Sequence, residues 1–370
     1  MSRALPVHQR SIIVDGHCDT PYRLKRRSSH IDEPDPTAQV SLQTLQESGI
    51  TASFFAAYVP PFYAGRGAAK FAHSLIDIIE TEVARNSGAL ELVTDSTGIR
   101  QVKARGEVGL MIGVEGGHAI EDSLEILSDL YGRGARYLTL THVNTNNWAD
   151  SSGGEARHGG LTSFGREVVS AMNRMGMIVD ISHVADTTFY QALEASSVPV
   201  IASHSSCRKL ASHPRNLTDD MLKDLASAGG VCMINFFSAF INDDAARAML
   251  QAGKRSSGRK TASEFEELPD DRIDWDSFVT WFGALGAPSG TLDQVADHIV
   301  HAASVAGVQS VGIGSDFDGV PMLPEGLENA SCLPFLTARL LERGFQAEEI
   351  ELILGGNFMR VFESVERGKR

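Results

Sequence analysis

The sequence predicts a (β/α)8 barrel of the TIM type, an α/β fold in which eight parallel strands alternate with helices. Eight short apolar runs, separated by longer stretches of helical character, carry this prediction. The runs are residues 11–17, 51–59, 108–117, 136–142, 177–183, 199–205, 231–237 and 311–319. They are almost continuously apolar, as expected of parallel strands covered on both faces. Eight strand–helix repeats favour a closed barrel, with an open doubly wound sheet as the alternative.

Amphipathic stretches between these runs predict the helices. Residues 71–86 and 165–176 are two of them. Residues 218–230, TDDMLKDLASAGG, begin with Thr and Asp, which are good N-caps, and end in glycine, which favours a helix end. These boundaries support the βα repeat.

Two segments interrupt the repeat. Residues 59–70, VPPFYAGRGAAK, are rich in Pro and Gly and predict a loop, in which Tyr63 and Arg66 are candidate substrate contacts. Residues 241–290 are first polar and then aromatic, which predicts an inserted βα loop with its own helices after the seventh strand. Packing against the barrel and roofing the active site are both open as its role. The whole chain, residues 1–370, is predicted to be one domain.

The composition excludes several classes of function. The net charge of −14 argues against nucleic acid or an anionic membrane surface as a partner. The N-terminal residues contain no apolar core of signal-peptide length, and no stretch approaches the length of a membrane span. The cysteines are far apart, without a C-x-x-C pair, and predict free thiols: Cys18, Cys207, Cys232 and Cys332. A cytoplasmic protein is the simplest expectation.

Titratable residues stand at or just after the carboxyl ends of most apolar runs. They are His17, Asp19, Glu115, His142, His183, His204 and Asp316. In a barrel these ends meet at one mouth, where active sites lie. A single such residue is more often a structural hydrogen-bonding group or a helix cap. Four histidines and three carboxylates gathered at one mouth, however, would be costly to bury without cations.

The types of these residues indicate which cation they bind. His17 and Asp19 share one face of the first strand, and Cys18 points to the other face. Imidazole and carboxylate without thiolate fit Zn²⁺, with Mn²⁺, Fe²⁺ or Co²⁺ as alternatives. Cys207 is not expected to be a ligand. The glycines of residues 311–319 lack the full dinucleotide-binding pattern, so that hypothesis is rejected.

The number of candidate ligands exceeds one tetrahedral site. The five residues expected to bind the metal directly are His17, Asp19, Glu115, His183 and His204. Five groups suit two ions that share one carboxylate. Two such ions can hold a hydroxide and polarise a carbonyl or phosphoryl group. The residues alone therefore predict a binuclear hydrolase.

At these residues the chain resembles the membrane (renal) dipeptidase family, the M19 metallopeptidases, which are amidohydrolase-like barrels. The matching segments keep the family order and span residues 11 to 320. They are DGHCDT, GVEGGHAI, YLTLTHVNTNNWADSS, GLTSFGREVVSAMNRMGMIVDISHV, PVIASHSSCRKLASHPRNLTDDML, MINFF and VGIGSDFDGV. The resemblance implies two zinc ions per chain, with His17 and Asp19 on the first, His183 and His204 on the second, and Glu115 bridging.

The resemblance also implies roles for three further residues. His142 resembles the residue that polarises the scissile carbonyl and contacts the substrate, Arg215 the one that holds the substrate's terminal carboxylate, and Asp316 the proton shuttle. The chain departs from the animal enzymes at two positions. Cys18 stands where they commonly carry Asn, and Phe240 stands near a substrate-contacting Tyr. The chain looks like a soluble bacterial-type member, without their leader and lipid-anchor tail.

The implied activity is that of a zinc-dependent dipeptidase in which a metal-bridging hydroxide attacks the peptide bond. L-Xaa-D-Xaa dipeptides are expected among its substrates. A binuclear hydrolase of another amide or ester, such as a β-lactam or a lactone, remains the alternative. Arg215 separates the two, because an anionic carboxylate needs it and a neutral ester does not. The expected partner is a dipeptide, and a homodimer is left open.

Overall fold

The computed structural model describes residues 3–255 and 275–369. Nine strands lie within these ranges. They are β1 (Val14–Cys18), β2 (Ala52–Tyr58), β3 (Leu90–Leu92), β4 (Val108–Glu115), β5 (Ala135–Thr139), β6 (Ile178–Asp180), β7 (Ile201–Ala202), β8 (Val231–Ile234) and β9 (Val311–Ile313). All of their pairings are parallel.

Helices follow most of the strands. The α-helices of the described ranges are α1 (Ala4–Arg10), α2 (Thr20–Arg27), α3 (Leu42–Ser48), α4 (Ala68–Arg85), α5 (Ser96–Arg105), α6 (Leu124–Gly132), α7 (Ser163–Met175), α8 (Asp186–Ala195), α9 (Asp219–Ser227), α10 (Ser238–Ile241), α11 (Asp243–Arg255), α12 (Trp275–Ala284), α13 (Leu292–Ala306), α14 (Leu333–Glu342), α15 (Ala347–Glu351) and α16 (Asn357–Gly368). Among the described helices, none combines the length and the apolar character needed to cross a membrane.

The sheet closes into the predicted barrel. Its strand order is β2-β1-β9-β8-β7-β6-β5-β4-β3, and β2 also pairs with β4. The prediction of an eight-stranded barrel is therefore confirmed, and the open doubly wound sheet is excluded. The extra strand, β3, pairs with the beginning of β4, whose later residues pair with β5 on the same edge. It is only three residues long, so its sequence did not stand out.

Local capping fixes the helix ends where the sequence indicated them. The Thr218 hydroxyl accepts the backbone N–H of Met221 at 3.2 Å and begins α9, as predicted. Thr162 caps α7 in the same way through the N–H of Gly165. α7 ends at Met175, and Gly176 after it has a φ of 78°, a left-handed conformation that glycine adopts without strain. Hydroxyl caps and a terminal glycine thus set the boundaries of these helices between the strands.

Two apolar layers hold the barrel together. The larger lies between the strands and the surrounding helices. The smaller fills the barrel interior below the mouth, largely from the first half of the strands, and α16 covers it from outside. We call this second layer the barrel floor: Val14, Phe54, Met111, Ile178, Ile201, Val231 and Met233, with Phe358 and Phe362 of α16. All of the floor residues are at most 1% exposed.

The helices predicted for the insertion are present where the structure describes it. α11 and α12 follow β8, and Phe282 of α12 is buried with its ring 5.2 Å from Phe237. Phe240 and Val320 belong to the same apolar cluster. Residues 256–274 lie outside the described residues. The described part of the insertion packs beside the barrel mouth. Its role as a roof stays a prediction, as does the assignment of residues 1–370 to one domain.

Candidate metal centre

Seven titratable side chains meet at the carboxyl ends of the barrel strands. We call them the polar ring: His17, Asp19, Glu115, His142, His183, His204 and Asp316. All seven are at most 7% exposed. They are the seven residues that the sequence placed at strand ends, and the structure brings all of them together. Their individual roles stay predictions.

A bulge in β1 turns the first histidine into the ring. The pairing register with β2 shifts by one residue between Asp15 and Cys18. Val14 belongs to the barrel floor and faces inward, so plain alternation would turn His17 outward. The extra residue reverses the alternation, and His17 faces the ring while Cys18 packs in the outer layer. The alternation of His17, Cys18 and Asp19 was predicted correctly, but the bulge was not.

Two ring residues have a left-handed backbone. His183 has a φ of 69° and Asp316 a φ of 65°. A residue with a side chain pays about 1–3 kcal/mol for a sparsely populated conformation, which persists only where its surroundings fix it. The backbone N–H of Asp316 donates to the carbonyl of His17 at 3.0 Å, which ties β9 to β1 at the ring. Such strain is typical of functional sites.

Glu115 stands at the centre of the ring. Its Oε1 lies 3.0 Å from Nε2 of His183, 3.3 Å from Nε2 of His204 and 3.8 Å from Nε2 of His142. Its Oε2 lies 3.5 Å from Nε2 of His17. The two carboxylate oxygens therefore face different histidines, which is the arrangement a bridging carboxylate needs.

The ring atoms fall into three sets, each with its ligand atoms within 4.8 Å of one another. The sets are His17, Glu115 and His204; Glu115, His142 and His183; and His17, Asp19 and Asp316. Glu115 belongs to two of them and links two histidine-rich groups. This sharing supports a binuclear centre and leaves the kind of metal open.

Electrostatics keep the charge of Glu115 and the neutrality of two histidines. Burial opposes the charge on Glu115, but His17 and His142 outweigh it and hold its pKa well below the usual range. Burial disfavours a protonated His17, but Glu115 and Asp19 raise its pKa well above the ordinary value. Burial is the main cause that lowers the pKa of His183 and of His204 well below the ordinary value. The ring thus favours positive charge beside Glu115.

The remaining two carboxyls are also strongly affected. Burial raises the pKa of Asp19 to about 7, against the opposing charge of His17. Burial likewise raises the pKa of Asp316. A buried carboxyl is costly as an anion unless a cation lies close to it. Two more carboxyls in this position therefore increase the preference of the ring for cations.

Unpaired atoms in the ring fit a metal ion. Among the described residues, Nε2 of His17 and Oδ1 of Asp19 are buried without a hydrogen-bond partner. Nε2 of His183 lies 2.9 Å from Nε2 of His204, and both face Glu115. Imidazole nitrogens and carboxylate oxygens aimed at one region form the donor set that zinc prefers. The residues present therefore fit two such ions.

A tyrosine inside the barrel contacts the first histidine from behind. The Tyr137 hydroxyl lies 2.6 Å from Nδ1 of His17. The Tyr137 ring crosses the barrel over Gly113, where any Cβ would overlap it, so this position requires glycine. The sequence analysis missed Tyr137. The signal was a tyrosine within an apolar strand, because a buried hydroxyl needs a partner.

Two more supporting residues were also missed. The Asn235 amide donates to Oδ2 of Asp316 at 2.7 Å. The Ser203 hydroxyl lies 2.7 Å from Nδ1 of His204. Asn235 follows β8 and Ser203 follows β7, so both positions lie at strand ends like the ring itself. Attention to charged residues alone left these neutral partners out.

Arg215 lies beside the ring and is 7% exposed. It donates to the carbonyl of His204 at 3.1 Å and to the Ser205 hydroxyl at 3.3 Å. Its guanidinium carbon lies 5.2 Å from the centre of the Phe240 ring. After burial, its charge is the next cause that lowers the pKa of His183. The guanidinium is therefore close enough to act on groups in the ring.

The two candidate contacts in the loop before α4 lie against aromatic side chains. The Tyr63 ring stacks on Phe71 with centroids 4.3 Å apart, and Arg66 lies 4.7 Å from the centre of the Phe62 ring. Tyr63 is half-buried and Arg66 is exposed. Their role as substrate contacts stays a prediction.

The cysteines behave as the sequence indicated. All four are free thiols. The Cys207 backbone N–H donates to Nδ1 of His298 at 3.0 Å. The Cys207 thiol donates to the backbone carbonyl of His298 at 3.4 Å. Cys207 therefore packs against α13.

Comparison with known proteins supplies the family. The sequence model of the family described as Membrane dipeptidase (Peptidase family M19) matches residues 1–370. The chain is 36% identical over 382 residues to Dipeptidase verJ of Clonostachys rogersoniana, covering 99% of this chain and 87% of that protein. It is 33% identical over 365 residues to Dipeptidase 3 of Mus musculus, covering 96% of this chain and 64% of that protein.

Solved structures support the fold. The probable dipeptidase PvdM from Pseudomonas aeruginosa matches with a TM-score of 0.84 and 22% identity, over 99% of this chain and 98% of that one. A metallo peptidase from Rhodobacter sphaeroides, liganded with a phosphinate mimic of the dipeptide L-Ala-D-Ala, matches with a TM-score of 0.77 and 22% identity. It covers 96% of this chain and 99% of that one. At this identity the likeness is one of fold.

Proposed function

The chain belongs to the membrane dipeptidase family, peptidase family M19, and is a metallo-dipeptidase, and we propose that it uses two zinc ions to cleave dipeptides that include L-Xaa-D-Xaa. One observation carries the proposal. Glu115 directs one carboxylate oxygen to His17 and the other to His183 and His204. A carboxylate shared in this way is what two adjacent ions require.

The proposed ligands divide between two ions. His17 and Asp19, whose Nε2 and Oδ2 atoms lie 3.4 Å apart, would hold the first ion. His183 and His204 would hold the second, and Glu115 would bridge. Nitrogen and oxygen donors without thiolate suit zinc. When bound, the ions supply Lewis acidity and lower the pKa of a water molecule.

Asp316 is the proposed proton shuttle. It belongs to the same atomic set as His17 and Asp19, so it would lie within reach of the ion that they would hold. Burial raises the pKa of Asp316 toward neutral pH. A general acid–base group is most effective when its pKa lies near the pH of the reaction. Asn235 holds one of its oxygens, and the other is left to exchange a proton. Asp316 would take the proton of the attacking water and give it to the leaving amine.

His142 is the proposed oxyanion partner. Its Nε2 is 3.8 Å from Oε1 of Glu115, farther than those of His183 and His204, so it is the histidine least engaged with the carboxylate. Its ring packs at 4.8 Å from the ring of Tyr58. An imidazole N–H at this position would polarise the scissile carbonyl and stabilise the negative oxygen that forms.

Arg215 is the proposed anchor for the substrate's terminal carboxylate. A guanidinium binds a carboxylate through two parallel hydrogen bonds, and burial strengthens the attraction. Its contact with the carbonyl of His204, a proposed ligand, would hold this anchor at a fixed distance from the metal site. A fixed distance would restrict the substrate to two residues. The dipeptide mimic in the Rhodobacter sphaeroides metallo peptidase supports an L,D substrate.

The test combines metal content with a stereochemically complete set of dipeptides. We expect two zinc ions per chain by elemental analysis, loss of activity on chelation, and its return with zinc. Free L,L and L,D dipeptides should be cleaved faster than their C-terminal amides, which lack the charge for Arg215. Full activity with one ion per chain would overturn the binuclear proposal. Faster cleavage of lactones or β-lactams than of every dipeptide would overturn the proposed substrate.

A further inference from the structure

A hydrogen-bond chain leads from one histidine of the ring to a buried carboxylate behind it. Nδ1 of His204 lies 2.7 Å from the Ser203 hydroxyl, and that hydroxyl donates to Oδ2 of Asp180 at 2.7 Å. None of the three residues is more than 1% exposed. Asp180 ends β6 and Ser203 follows β7, which is the neighbouring strand.

The surroundings of Asp180 show that its carboxylate can only accept. Its Oδ1 accepts the backbone N–H groups of Ser182 at 3.0 Å and Ser203 at 2.8 Å. Its Oδ2 accepts the hydroxyls of Thr139 at 2.6 Å and Ser203. Four donors converge on two oxygens, which satisfies the ionised form.

This arrangement fixes where the proton of the imidazole lies. The Ser203 hydroxyl has one proton, and it donates that proton to Asp180. Its oxygen must then accept from His204, so Nδ1 carries the hydrogen of the neutral ring. Nε2 is left with its lone pair, and it faces Oε1 of Glu115 at 3.3 Å. The imidazole of His204 is therefore in the tautomer that can bind a cation through Nε2.

We propose that Asp180 and Ser203 are positioning residues that hold His204 in its metal-binding tautomer and so raise the affinity for one of the two ions. The inference rests on the proposed function, because it requires a zinc ion at His204. It goes beyond that function by assigning roles to residues outside the polar ring. Histidine ligands commonly donate their other N–H to a partner that fixes the ring, and loss of such partners weakens metal binding.

The competing explanation is that Ser203 only satisfies Asp180, as part of the packing between β6 and β7. Thr139 offers a matched control. It is as buried as Ser203, and its hydroxyl donates to the same oxygen of Asp180 at nearly the same distance. The structure gives the Thr139 hydroxyl no contact with His204, whereas the Ser203 hydroxyl touches it. A purely structural role would make the two hydroxyls equivalent.

The experiment compares Ser203→Ala with Thr139→Val in zinc-loaded protein. Zinc affinity is measured by competition with a chromophoric chelator, and the thermal stability of both zinc-free variants is measured alongside. Ser203→Ala should lower the affinity for one of the two zinc ions by about 10- to 100-fold. The affinity for the other ion should not change. Thr139→Val should bind both ions as the wild type does, while the zinc-free variants lose similar stability.

Asp180→Asn provides a second, directional variant. An amide N–H at this position would donate to Ser203, which would then donate to Nδ1 of His204 and place the hydrogen on Nε2. Asp180→Asn should therefore lower the affinity for the same zinc ion more than Ser203→Ala does. Equal zinc retention in Ser203→Ala and Thr139→Val, with wild-type retention of two ions, would overturn the inference alone. Wild-type protein that binds no zinc would overturn the proposed function and this inference with it.

Discussion

The two ends of the barrel interior follow opposite rules. At the floor, apolar side chains pack against one another and against α16; the Phe54 ring lies 5.5 Å from that of Phe358 in an edge-on arrangement. The mouth lies only a few residues farther along the strands. There the polar ring brings together titratable groups that repel or neutralise one another. Tyr137 marks the boundary, because its ring packs on Phe54 at 4.6 Å and its hydroxyl reaches His17.

The difference teaches where stability and chemistry reside. The floor is complete within the protein, since each of its side chains is buried against apolar neighbours. The ring favours cations, since its ligand-type atoms converge and burial raises the pKa of Asp19 and Asp316. Changes at the floor should therefore alter the free energy of unfolding, and changes in the ring should alter metal binding and turnover.

The largest expected effect is on turnover, from Asp316→Asn. The variant keeps an oxygen for the amide of Asn235, so we expect it to fold and to retain both zinc ions. It cannot carry the proton, so kcat should fall by about 10²–10⁴-fold. Zinc analysis and steady-state kinetics on one preparation measure both quantities. Loss of zinc would make Asp316 a ligand or a structural group, and near-normal turnover would assign the shuttle elsewhere.

At the opposite end, Phe358→Ala tests the floor. Phe358 is 1% exposed, so its truncation leaves a cavity and should lower the free energy of unfolding by about 3–5 kcal/mol. Its kcat and zinc content should equal those of the wild type at temperatures where it is folded. Denaturant unfolding and kinetics check the two statements.

Phe335→Ala is the matched control for the floor. Phe335 of α14 is 48% exposed, so its loss should change stability by no more than about 0.5 kcal/mol. A floor variant that is stable yet inactive would break the separation between the two ends.

The ring could be predicted from the sequence because each strand end carries its own signal. A histidine or carboxylate after an apolar run is visible without knowing the partner, and the barrel brings such ends together. The floor could not be predicted in this way. α16 covers strands that precede it by hundreds of residues, and nothing within Phe358 or Phe362 indicates which surface they bury. Packing partners far apart along the chain leave no local pattern.

Supporting residues behind the ring were missed for a related reason. Ser203 and Asn235 look like ordinary loop residues, and Asp180 looks like one more strand-end carboxyl. Only their hydrogen bonds distinguish them: Ser203 contacts His204, Asn235 donates to Asp316, and Asp180 accepts from Ser203. The bulge in β1 had one signal, Gly16 within the strand, but such a glycine marks either a bulge or a close backbone approach and does not say which. Supporting contacts depend on register, which the structure alone supplies.

A smaller effect is expected from Arg215→Met at the edge of the ring. Removal of one partner of a buried charge pair costs about 2–5 kcal/mol, so kcat/KM for free dipeptides should fall accordingly, mainly through KM. A dipeptide amide lacks that charge and should lose little. Kinetics with both substrates in both proteins gives the comparison. Equal losses for acid and amide would mean that Arg215 only supports the backbone of His204, and would reopen the lactone or β-lactam alternative.

The smallest expected effect concerns a histidine as buried as those of the ring but outside it. His298 of α13 accepts the N–H of Cys207 and donates to the carbonyl of Ile241 at 3.1 Å, so both of its nitrogens are satisfied by backbone groups. Burial is the main cause that lowers its pKa to about 4. It is therefore neutral in the folded protein, with no cation required.

This difference predicts a pH dependence of stability. His298 has a pKa of 6.5 in the unfolded chain and of about 4 in the folded protein. Between these two values the unfolded chain binds a proton that the folded protein does not bind, so the free energy of unfolding decreases as the pH falls from 6.5 to 4. The loss between pH 7 and pH 5 should be about 2 kcal/mol. His298→Asn should be less stable at pH 7, because it loses a hydrogen bond, but should lose about 2 kcal/mol less on acidification. Urea unfolding of zinc-free wild type and variant at both pH values isolates this contribution from metal release. If both proteins lose the same stability, His298 does not titrate as its surroundings require, and a buried histidine outside the ring would then tolerate charge as His17 does inside it.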